Sequence, residues 1–233
     1  VDCAYGPPKV ARVVCFHGEP RPHNCGAEWV KIIWEDGKVL SNAGNTVPNT
    51  DTATMQDNII SACKLNIPWL TRHTAHEGHA VMVAGGASTH DFMDDIRQRQ
   101  EEGQVIFAMN GSFDFLRRHG ITADWQVVMD ARIENLRFVE DCHPRKGILL
   151  SSQCHPNLFG KVNGTPVELF HNYTTTALGV VKPKDPTSVH FVGGGNTIGL
   201  ASIAVAYSKG HRMFHLYGYD SSSIATGYAL KCI

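Results

Sequence analysis

The sequence predicts an α/β domain in which a mostly parallel sheet carries helices on both faces, preceded by an irregular N-terminal appendage. From residue 80 onward, short apolar runs alternate with longer stretches of helical spacing. The runs are apolar throughout rather than alternating with polar residues, which indicates strands buried on both faces. Residues 1–50 are instead rich in Pro, Gly and Asn, which favours irregular structure.

Seven strands and four helices follow from these patterns. The strands are expected at 80–84, 105–109, 125–129, 147–150, 167–170, 190–192 and 213–217. The helices are expected at 91–102, 113–119, 133–141 and 198–209. Such alternation is typical of a Rossmann-like fold, in which crossover helices join parallel strands.

Composition divides the chain into three segments. Residues 1–50 form the Pro/Gly-rich appendage, and residues 80–233 form the α/β domain. Between them, residues 51–79 are expected to form a linking helix, because apolar residues from Ile59 onward recur at roughly helical spacing before Pro68.

The overall charge is nearly balanced. The 233 residues include 21 Lys and Arg against 22 Asp and Glu, for a net charge of −1, and 42% are hydrophobic. This apolar fraction excludes disorder as the main description of the chain. The charge balance argues against a dedicated nucleic-acid binder, whose affinity comes largely from a basic face.

Cysteine usage and the start of the chain predict a cytoplasmic protein. The seven Cys are odd in number and no pair has C-x-x-C spacing, which favours free thiols over disulfides or structural zinc. No basic stretch followed by an apolar run opens the sequence, so no signal peptide is expected. The uncharged run at 191–208 is long enough to span a membrane, but its glycines favour a turn followed by a buried helix.

Ligands bind outside the carboxyl ends of strands in open parallel sheets, so the residues that follow each strand are the candidate site. The first strand is followed by Gly85, Gly86, Ser88 and Thr89. Glycines allow close backbone approach, and a following helix N-terminus favours phosphate, so these residues are expected to bind a nucleotide. The alternative is a tight turn with a helix cap.

The second and third strands also end in polar residues. Asn110, Gly111 and Ser112 follow the second strand, where Asn110 either hydrogen-bonds a base or ribose or closes the turn. Asp130 ends the third strand and is a candidate catalytic residue or ligand of Mg²⁺. It either holds a metal or a ribose hydroxyl, or caps the next helix, and a metal site would need a second acid such as Asp114.

Three further groups complete the candidate site. His155, after the fourth strand, is a candidate general base or phosphate contact, whereas Cys154 beside it is expected to be inert. The glycine turn that contains Gly194 and Asn196, together with Asp220 after the last strand, is expected to contact substrate. His73, His76 and His79 fall three apart, a spacing that a helix would align. Gly78 and the approaching strand argue against such a helix and favour a solvated connector over a metal site.

The order of these motifs resembles the 6-hydroxymethylpterin diphosphokinase MptE-like family, whose domain also occurs in motility-associated glycosyltransferase-like proteins. Gly85-Gly86-Ala87-Ser88-Thr89 stands where that family has Gly-x-Gly-Pro-Ser-Leu. The run Gly120-Ile121-Thr122-Ala123-Asp124 is similar to its Gly-Ile-x-Pro-Asp element, with Ala123 in place of Pro. Asp130, the turn at 193–196 and Leu216-Tyr217-Gly218-Tyr219-Asp220 follow in the family's order.

The set is also similar to the fold of bacterial sialyltransferases that use a CMP-sugar. By that resemblance, Gly85, Gly86, Ser88 and Asn110 form the nucleotide site. The segment at 16–22 resembles the terminal part of some glycosyltransferase domains, so the appendage is interpreted as the end of such a module. These resemblances imply a transferase that uses a nucleotide sugar.

Two departures leave alternatives open. The pterin diphosphokinases carry a doubled acidic motif suited to Mg²⁺-nucleotide, whereas here Asp130 is followed by Ala131 and Arg132. The sialyltransferase-like enzymes carry a His beyond the last Gly-x-Asp, and residues 219–233 contain none. The alternatives are Mg²⁺-ATP-dependent diphosphate transfer to a pterin, and an inactive nucleotide-binding module of a phage or surface-assembly protein.

Overall fold

The computed structural model describes residues 49–162, 164–181, 191–193 and 197–220, so the appendage predicted over 1–50 lies almost wholly outside the described residues. Seven strands form one sheet in the order β6-β5-β4-β3-β2-β1-β7, and every neighbouring pair is parallel. The strands are β1 His79–Val83, β2 Val105–Met109, β3 Trp125–Val128, β4 Gly147–Ser151, β5 Val167–Asn172, β6 Phe191–Val192 and β7 Met213–Tyr217. The predicted α/β class with helices on both faces is confirmed.

Five α-helices accompany the sheet in the described part of the chain. They are α1 Thr52–Ala62, α2 Met93–Glu101, α3 Ser112–Arg118, α4 Thr175–Val180 and α5 Ile198–Ser208. Three 3₁₀ segments lie at Ala87–Phe92, Ile133–Phe138 and Pro156–Leu158.

The predicted strands match the observed ones closely because burial on both faces leaves continuous apolar runs in the sequence. The largest difference is in β5, which continues two residues past the predicted end to Asn172. His190, predicted to open β6, lies outside the described residues.

The helices differ more from their predictions. The helix predicted at 91–102 begins only at Met93, because a 3₁₀ segment precedes it. The one predicted at 133–141 is a 3₁₀ segment, Ile133–Phe138, and Asp141 beyond it has a left-handed backbone with φ of 56°. The sequence did not predict α4, because its Thr-rich start has low helix propensity. This helix depends on a cap from Thr174.

The linking segment is helical only over α1, shorter than predicted. Asp51 caps this helix by accepting a hydrogen bond from the Thr54 amide at 2.9 Å. Further along, Trp69 forms a parallel bridge with Leu169, so the connector pairs with β5 ahead of the residues that pair with β6. Ile59 near the end of α1 is 1% exposed, and the helix packs against α4 and the 3₁₀ segment Pro156–Leu158.

Two apolar layers cover the two faces of the sheet. Alternate residues along β1 point to opposite sides, with Val81 in one layer and Met82 in the other. The first layer packs against α1, α2 and α3, and the second packs against α5. No helix in the described ranges is long and apolar enough to cross a membrane.

The strand order creates a topological switch point at β1. The chain steps outward from β1 to β6 and then returns to place β7 on the other side of β1. Loops that leave the carboxyl ends of strands at such a point border a crevice in which ligands bind in open α/β sheets. The fold therefore favours a ligand site at the loops after β1, β2 and β7.

Candidate functional site

The loops after β1 and β7 meet through backbone contacts at the switch point. The Gly86 amide donates to the Gly218 carbonyl at 2.9 Å, and the Ala84 amide donates to the Tyr217 carbonyl at 2.9 Å. Gly218 has a φ of +69°, and a Cβ on it would lie 2.2 Å from Thr89 Oγ1. Glycine is therefore required at this contact.

At the same junction, Ser88, predicted to bind a nucleotide, contacts Asp220, predicted to contact substrate. The Ser88 hydroxyl donates to Asp220 Oδ1 at 2.6 Å, and the Ser88 amide lies 3.4 Å from Asp220 Oδ2. A carboxylate of the chain itself thus faces the turn that was expected to receive phosphate. Because the first α-helix after β1 begins only at Met93, no α-helix N-terminus reinforces that turn.

The other two residues of the first turn differ in accessibility. Thr89 is fully buried, and its hydroxyl donates to the Ala84 carbonyl at 3.1 Å. Gly85 is open, because a Cβ on it would meet nothing within 4 Å. Of this pair, only Gly85 lies where a ligand can reach it, and its nucleotide role stays a prediction.

Asn110 has the most unusual local geometry of the predicted site residues. Its backbone is left-handed, with φ of 50°, and its amide donates to the Val127 carbonyl at 3.1 Å. The buried Gln126 side chain donates to the Asn110 carbonyl at 2.7 Å and holds this conformation. The side-chain oxygens of Asn110 and Gln126 are buried without hydrogen-bond partners. Two acceptor groups are therefore unsatisfied at this point, which is uncommon for buried polar atoms.

A cleft of about 280 Å³ opens beside Asn110, between α3 and the segment that follows β3. Arg117 and Arg118 line it and share one carboxylate, Asp114, at 2.5 and 2.8 Å. Arg137 lies over the Phe138 ring at 4.8 Å and has no acidic partner among the described residues. Glu140 and Asp141 also line the cleft, so its charge is mixed.

The two residues that follow Asn110 have different surroundings. Gly111 lines the cleft. Ser112 is buried, with its hydroxyl 2.5 Å from the Met109 carbonyl oxygen and 2.9 Å from that of Val83. This hydroxyl ties the end of β2 to β1, so the structure places it beneath the surface of the site.

Asp130 is held by its neighbour Arg132. The guanidinium lies 3.1 Å from Oδ1 and 2.8 Å from Oδ2, and the Arg132 amide also donates to Oδ1 at 3.0 Å. Partial burial alone would raise the pKa of Asp130, but hydrogen bonds from Arg132 and Asn49 outweigh it and lower that pKa.

The surroundings of Asp130 do not fit a Mg²⁺ ion. A guanidinium engages both of its oxygens, and no group of three metal-ligating side chains occurs in the described ranges. Mg²⁺ in proteins is usually held by one or two carboxylates together with water and phosphate oxygens. The predicted metal role therefore gains no support from this geometry.

His155 and Cys154 lie after β4. His155 Nδ1 accepts a hydrogen bond from the Asn157 amide at 3.2 Å and caps the 3₁₀ segment Pro156–Leu158. Cys154 is fully buried, and burial raises the pKa of its thiol well above the ordinary value. The expectation of an inert thiol agrees with this burial, whereas a catalytic role for His155 stays a prediction.

His171, near the end of β5, is buried and forms a hydrogen bond with Ser152. Its Nδ1 lies 2.8 Å from the Ser152 hydroxyl, and its ring stacks on Trp69 with centroids 4.2 Å apart. Burial lowers the pKa of His171 to about 4, which keeps the ring neutral. With 3% of its surface exposed, this histidine supports the fold rather than the open site.

Some of the remaining predicted residues lie outside the described part of the chain. Gly194 and Asn196 lie outside the described residues. Within the described ranges, Thr197 caps α5 by accepting a hydrogen bond from the Leu200 amide at 3.4 Å. Among the connector histidines, His73 and His76 are exposed, as predicted for a solvated connector. His76 also packs against His211, and His79 Nδ1 lies 2.8 Å from His215 Nε2.

The sequence analysis predicted no role for the arginines that line the cleft. Arg117 and Arg118 end the short helix that follows Asn110, and Arg137 lies in the last turn of the 3₁₀ segment after Asp130. Each of these arginines therefore lies in the short helical segment that follows a predicted site residue, Asn110 or Asp130. A second overlooked signal was Gln126, a polar residue within an apolar strand.

Comparisons with known proteins agree with this architecture. The structure is similar to that of the MAf glycosyltransferase from Magnetospirillum magneticum AMB-1, with a TM-score of 0.61 and 17% sequence identity. The alignment covers 78% of this chain and 29% of that one, so this chain spans less than a third of that protein. None of the curated proteins compared with this chain matches it.

Sequence similarity to a family is more direct. The family model described as 6-hydroxymethylpterin diphosphokinase MptE-like matches residues 54–225. The match begins within α1 and covers all seven strands, so it includes the switch point and the cleft beside Asn110. This chain belongs to the 6-hydroxymethylpterin diphosphokinase MptE-like family.

Proposed function

We propose that this domain is a glycosyltransferase-like group transferase that uses a nucleotide sugar as its donor. The cleft beside Asn110 is the nucleotide site in this proposal. The nucleotide's phosphates contact the arginines, and its base or ribose contacts the Asn110 amide. The similarity to a glycosyltransferase structure supports the fold needed for this reaction, while the donor is inferred from the cleft itself.

The observation that carries the proposal is the pairing of Asn110 with arginines in a single cleft at the carboxyl edge of the sheet. Guanidinium groups bind phosphate oxygens in bidentate geometry, and an amide both donates to and accepts from a base or ribose. Arg137 is well placed for the phosphate because none of the described carboxylates forms an ion pair with it, although Glu140 and Asp141 line the same cleft. Only the combination of both chemistries suits a nucleotide.

The second candidate is Mg²⁺-dependent diphosphate transfer from ATP to a pterin, which the family description favours. Diphosphate transfer of this kind places a metal between acidic side chains and the phosphates. The engagement of Asp130 by Arg132 makes this candidate the weaker of the two.

A thermal-shift panel tests the first candidate against the second. CMP, UDP, GDP and ATP are each added with and without Mg²⁺, and the unfolding midpoint is measured. We expect stabilisation by CMP or UDP without metal. A response to ATP that requires Mg²⁺ would instead support diphosphate transfer, and no response to any nucleotide would overturn both.

Two variants locate the binding. Asn110→Ala and Arg137→Ala should each reduce the midpoint shift by more than half, because each removes a proposed ligand contact. Asn157→Ala is the matched control, since Asn157 is exposed and lies in the loop after β4. An unchanged shift in Asn110→Ala would refute the assigned cleft.

A further inference from the structure

We propose that a second cleft, beside β7, binds an uncharged sugar, and this inference rests on the proposed group transfer because it would place the acceptor. The cleft has a volume of about 290 Å³. Its lining includes Ser88, Phe92, Asp95, Leu216, Tyr217 and Asp220. It borders the switch point from the β7 side, whereas the cleft beside Asn110 lies on the β2 side.

Two carboxylates give this cleft its hydrogen-bonding character. Asp220 accepts from the Ser88 hydroxyl at 2.6 Å. Asp95 accepts from the Tyr217 hydroxyl and from Arg99 Nε, both through Oδ2. A carboxylate has acceptor sites on both of its oxygens, so Asp95 Oδ1 remains suited to accept from a sugar hydroxyl.

The described lining of this cleft contains acceptor groups and no Lys or Arg. The hydrogen bond from Tyr217 lowers the pKa of Asp95, which therefore stays ionised. Burial raises the pKa of Tyr217 to about 12, so its hydroxyl remains protonated and adds no charge. Arg99 lies behind Tyr217 and is engaged by the Asp95 carboxylate, so the described lining offers no cationic partner to a phosphate or carboxylate group.

An exposed apolar wall completes the arrangement. The Phe92 ring is 49% exposed and Leu216 is 45% exposed, and the two side chains line the same cleft. Phe92 is steadied by the Tyr217 ring, whose centroid lies 6.1 Å away. The C–H face of a pyranose is apolar and its rim carries hydroxyls, so an aromatic wall facing carboxylates complements both parts.

Saturation-transfer difference NMR on the chain tests the proposal. The probes are methyl β-galactoside, methyl β-glucoside and N-acetylglucosamine, with glucose 6-phosphate as the charged comparison and choline as a cationic one. We expect transfer to the ring protons of at least one neutral sugar. Glucose 6-phosphate should show none, because the described lining offers its phosphate no cationic partner.

Variants assign the signal to this cleft. Phe92→Ala should weaken sugar binding about tenfold, because it removes the stacking surface of an exposed residue without opening the core. Tyr173→Ala is the matched control, since Tyr173 is also an exposed aromatic residue, at 66%, but lies after β5. Asp220→Asn should also weaken binding of the neutral sugar, because it removes a carboxylate acceptor from the lining.

Each outcome decides between the two proposals. Transfer to choline but to no sugar, or equal binding by wild type and Phe92→Ala, would overturn the sugar site. Nucleotide stabilisation without sugar binding would leave the proposed function in place and refute this site alone. Sugar binding that depends on Phe92 without any nucleotide response would support the site and refute the nucleotide-dependent function.

Discussion

Gly86 and Gly218 face each other across the junction of β1 and β7, with the Gly86 nitrogen 2.9 Å from the Gly218 carbonyl oxygen. A Cβ on Gly86 would lie 2.5 Å from that oxygen, and a Cβ on Gly218 would lie 2.5 Å from the Ala84 oxygen. Neither contact leaves room for a side chain. The loops at the switch point therefore touch through their backbones, which sets the position of Ser88 and Asp220.

Replacing Gly218 by Ala should destabilise the domain by about 3 kcal/mol. Its φ of +69° already disfavours a side chain, and the new methyl would collide with Thr89 Oγ1 and the backbone of the first turn. The free energy of unfolding in urea measures the loss.

Gly103→Ala is the matched control for this prediction. Gly103 has a similar φ of +77°, but a Cβ there meets nothing within 4 Å. This variant should lose only the backbone cost of about 1 kcal/mol. Equal losses in both variants would mean that the close approach of the two loops does not matter.

His171 should make stability depend on pH. Its pKa is about 4 in the folded protein against an ordinary value of 6.5, so the unfolded chain binds the proton first. Stability is therefore full above pH 6.5 and falls as the pH drops toward 4. The loss should be about 2 kcal/mol at pH 5 and on the order of 3 kcal/mol below pH 4.

Urea unfolding at pH 7.5 and pH 5 checks this prediction. Burial also lowers the pKa of His211 and His215, so the wild type carries further pH dependence of the same sign. The informative quantity is the difference between wild type and His171→Gln, a neutral variant that keeps a partner for Ser152. The same slope in both proteins would show that His171 is not the group that titrates.

The ion pair between Lys209 and Glu168 should stabilise the end of α5 against β5. Lys209 Nζ lies 2.5 and 2.6 Å from the two Glu168 oxygens and 4.1 Å from the Trp125 ring centroid. Lys209 is 9% exposed, so Glu168→Gln would leave a buried ammonium group without its counter-charge. We expect a loss of about 2 to 3 kcal/mol in the free energy of unfolding.

The double variant Glu168→Gln with Lys209→Met separates the charge from the packing. Met keeps an apolar chain over Trp125 and removes the unpaired ammonium group. It should recover more than half of the stability lost in Glu168→Gln. A double variant no more stable than the single one would show that Glu168 acts through something other than Lys209.

Much of the fold could be predicted because local patterns determine it. All seven strands appear as largely apolar runs, and β2 and β7 begin and end where the sequence places them. The segments after β1 and β3 could not be assigned in the same way. Their 3₁₀ geometry depends on how the loops pack against the sheet, which no local periodicity records.

The candidate site shows the same division. The rule for strand ends identified Ser88, Asn110 and Asp220 as neighbours of the carboxyl edge. It did not identify Asp95 and Tyr217, which are 122 residues apart and meet only because β7 returns to the side of β1. Likewise, the tie between Asp130 and Arg132 depends on a local turn that sequence spacing alone left open.

The α/β class, the strands and the row of polar residues that follow them could be predicted from local sequence, because burial and side-chain periodicity act over a few neighbouring residues. The placement of those polar residues around the clefts depends on the order of the strands. Strand order set Asp220 against Ser88, buried Ser112 and His171, and gathered arginines beside Asn110. Contacts between residues far apart in the chain follow from how strands are ordered, and local sequence carries no record of that order.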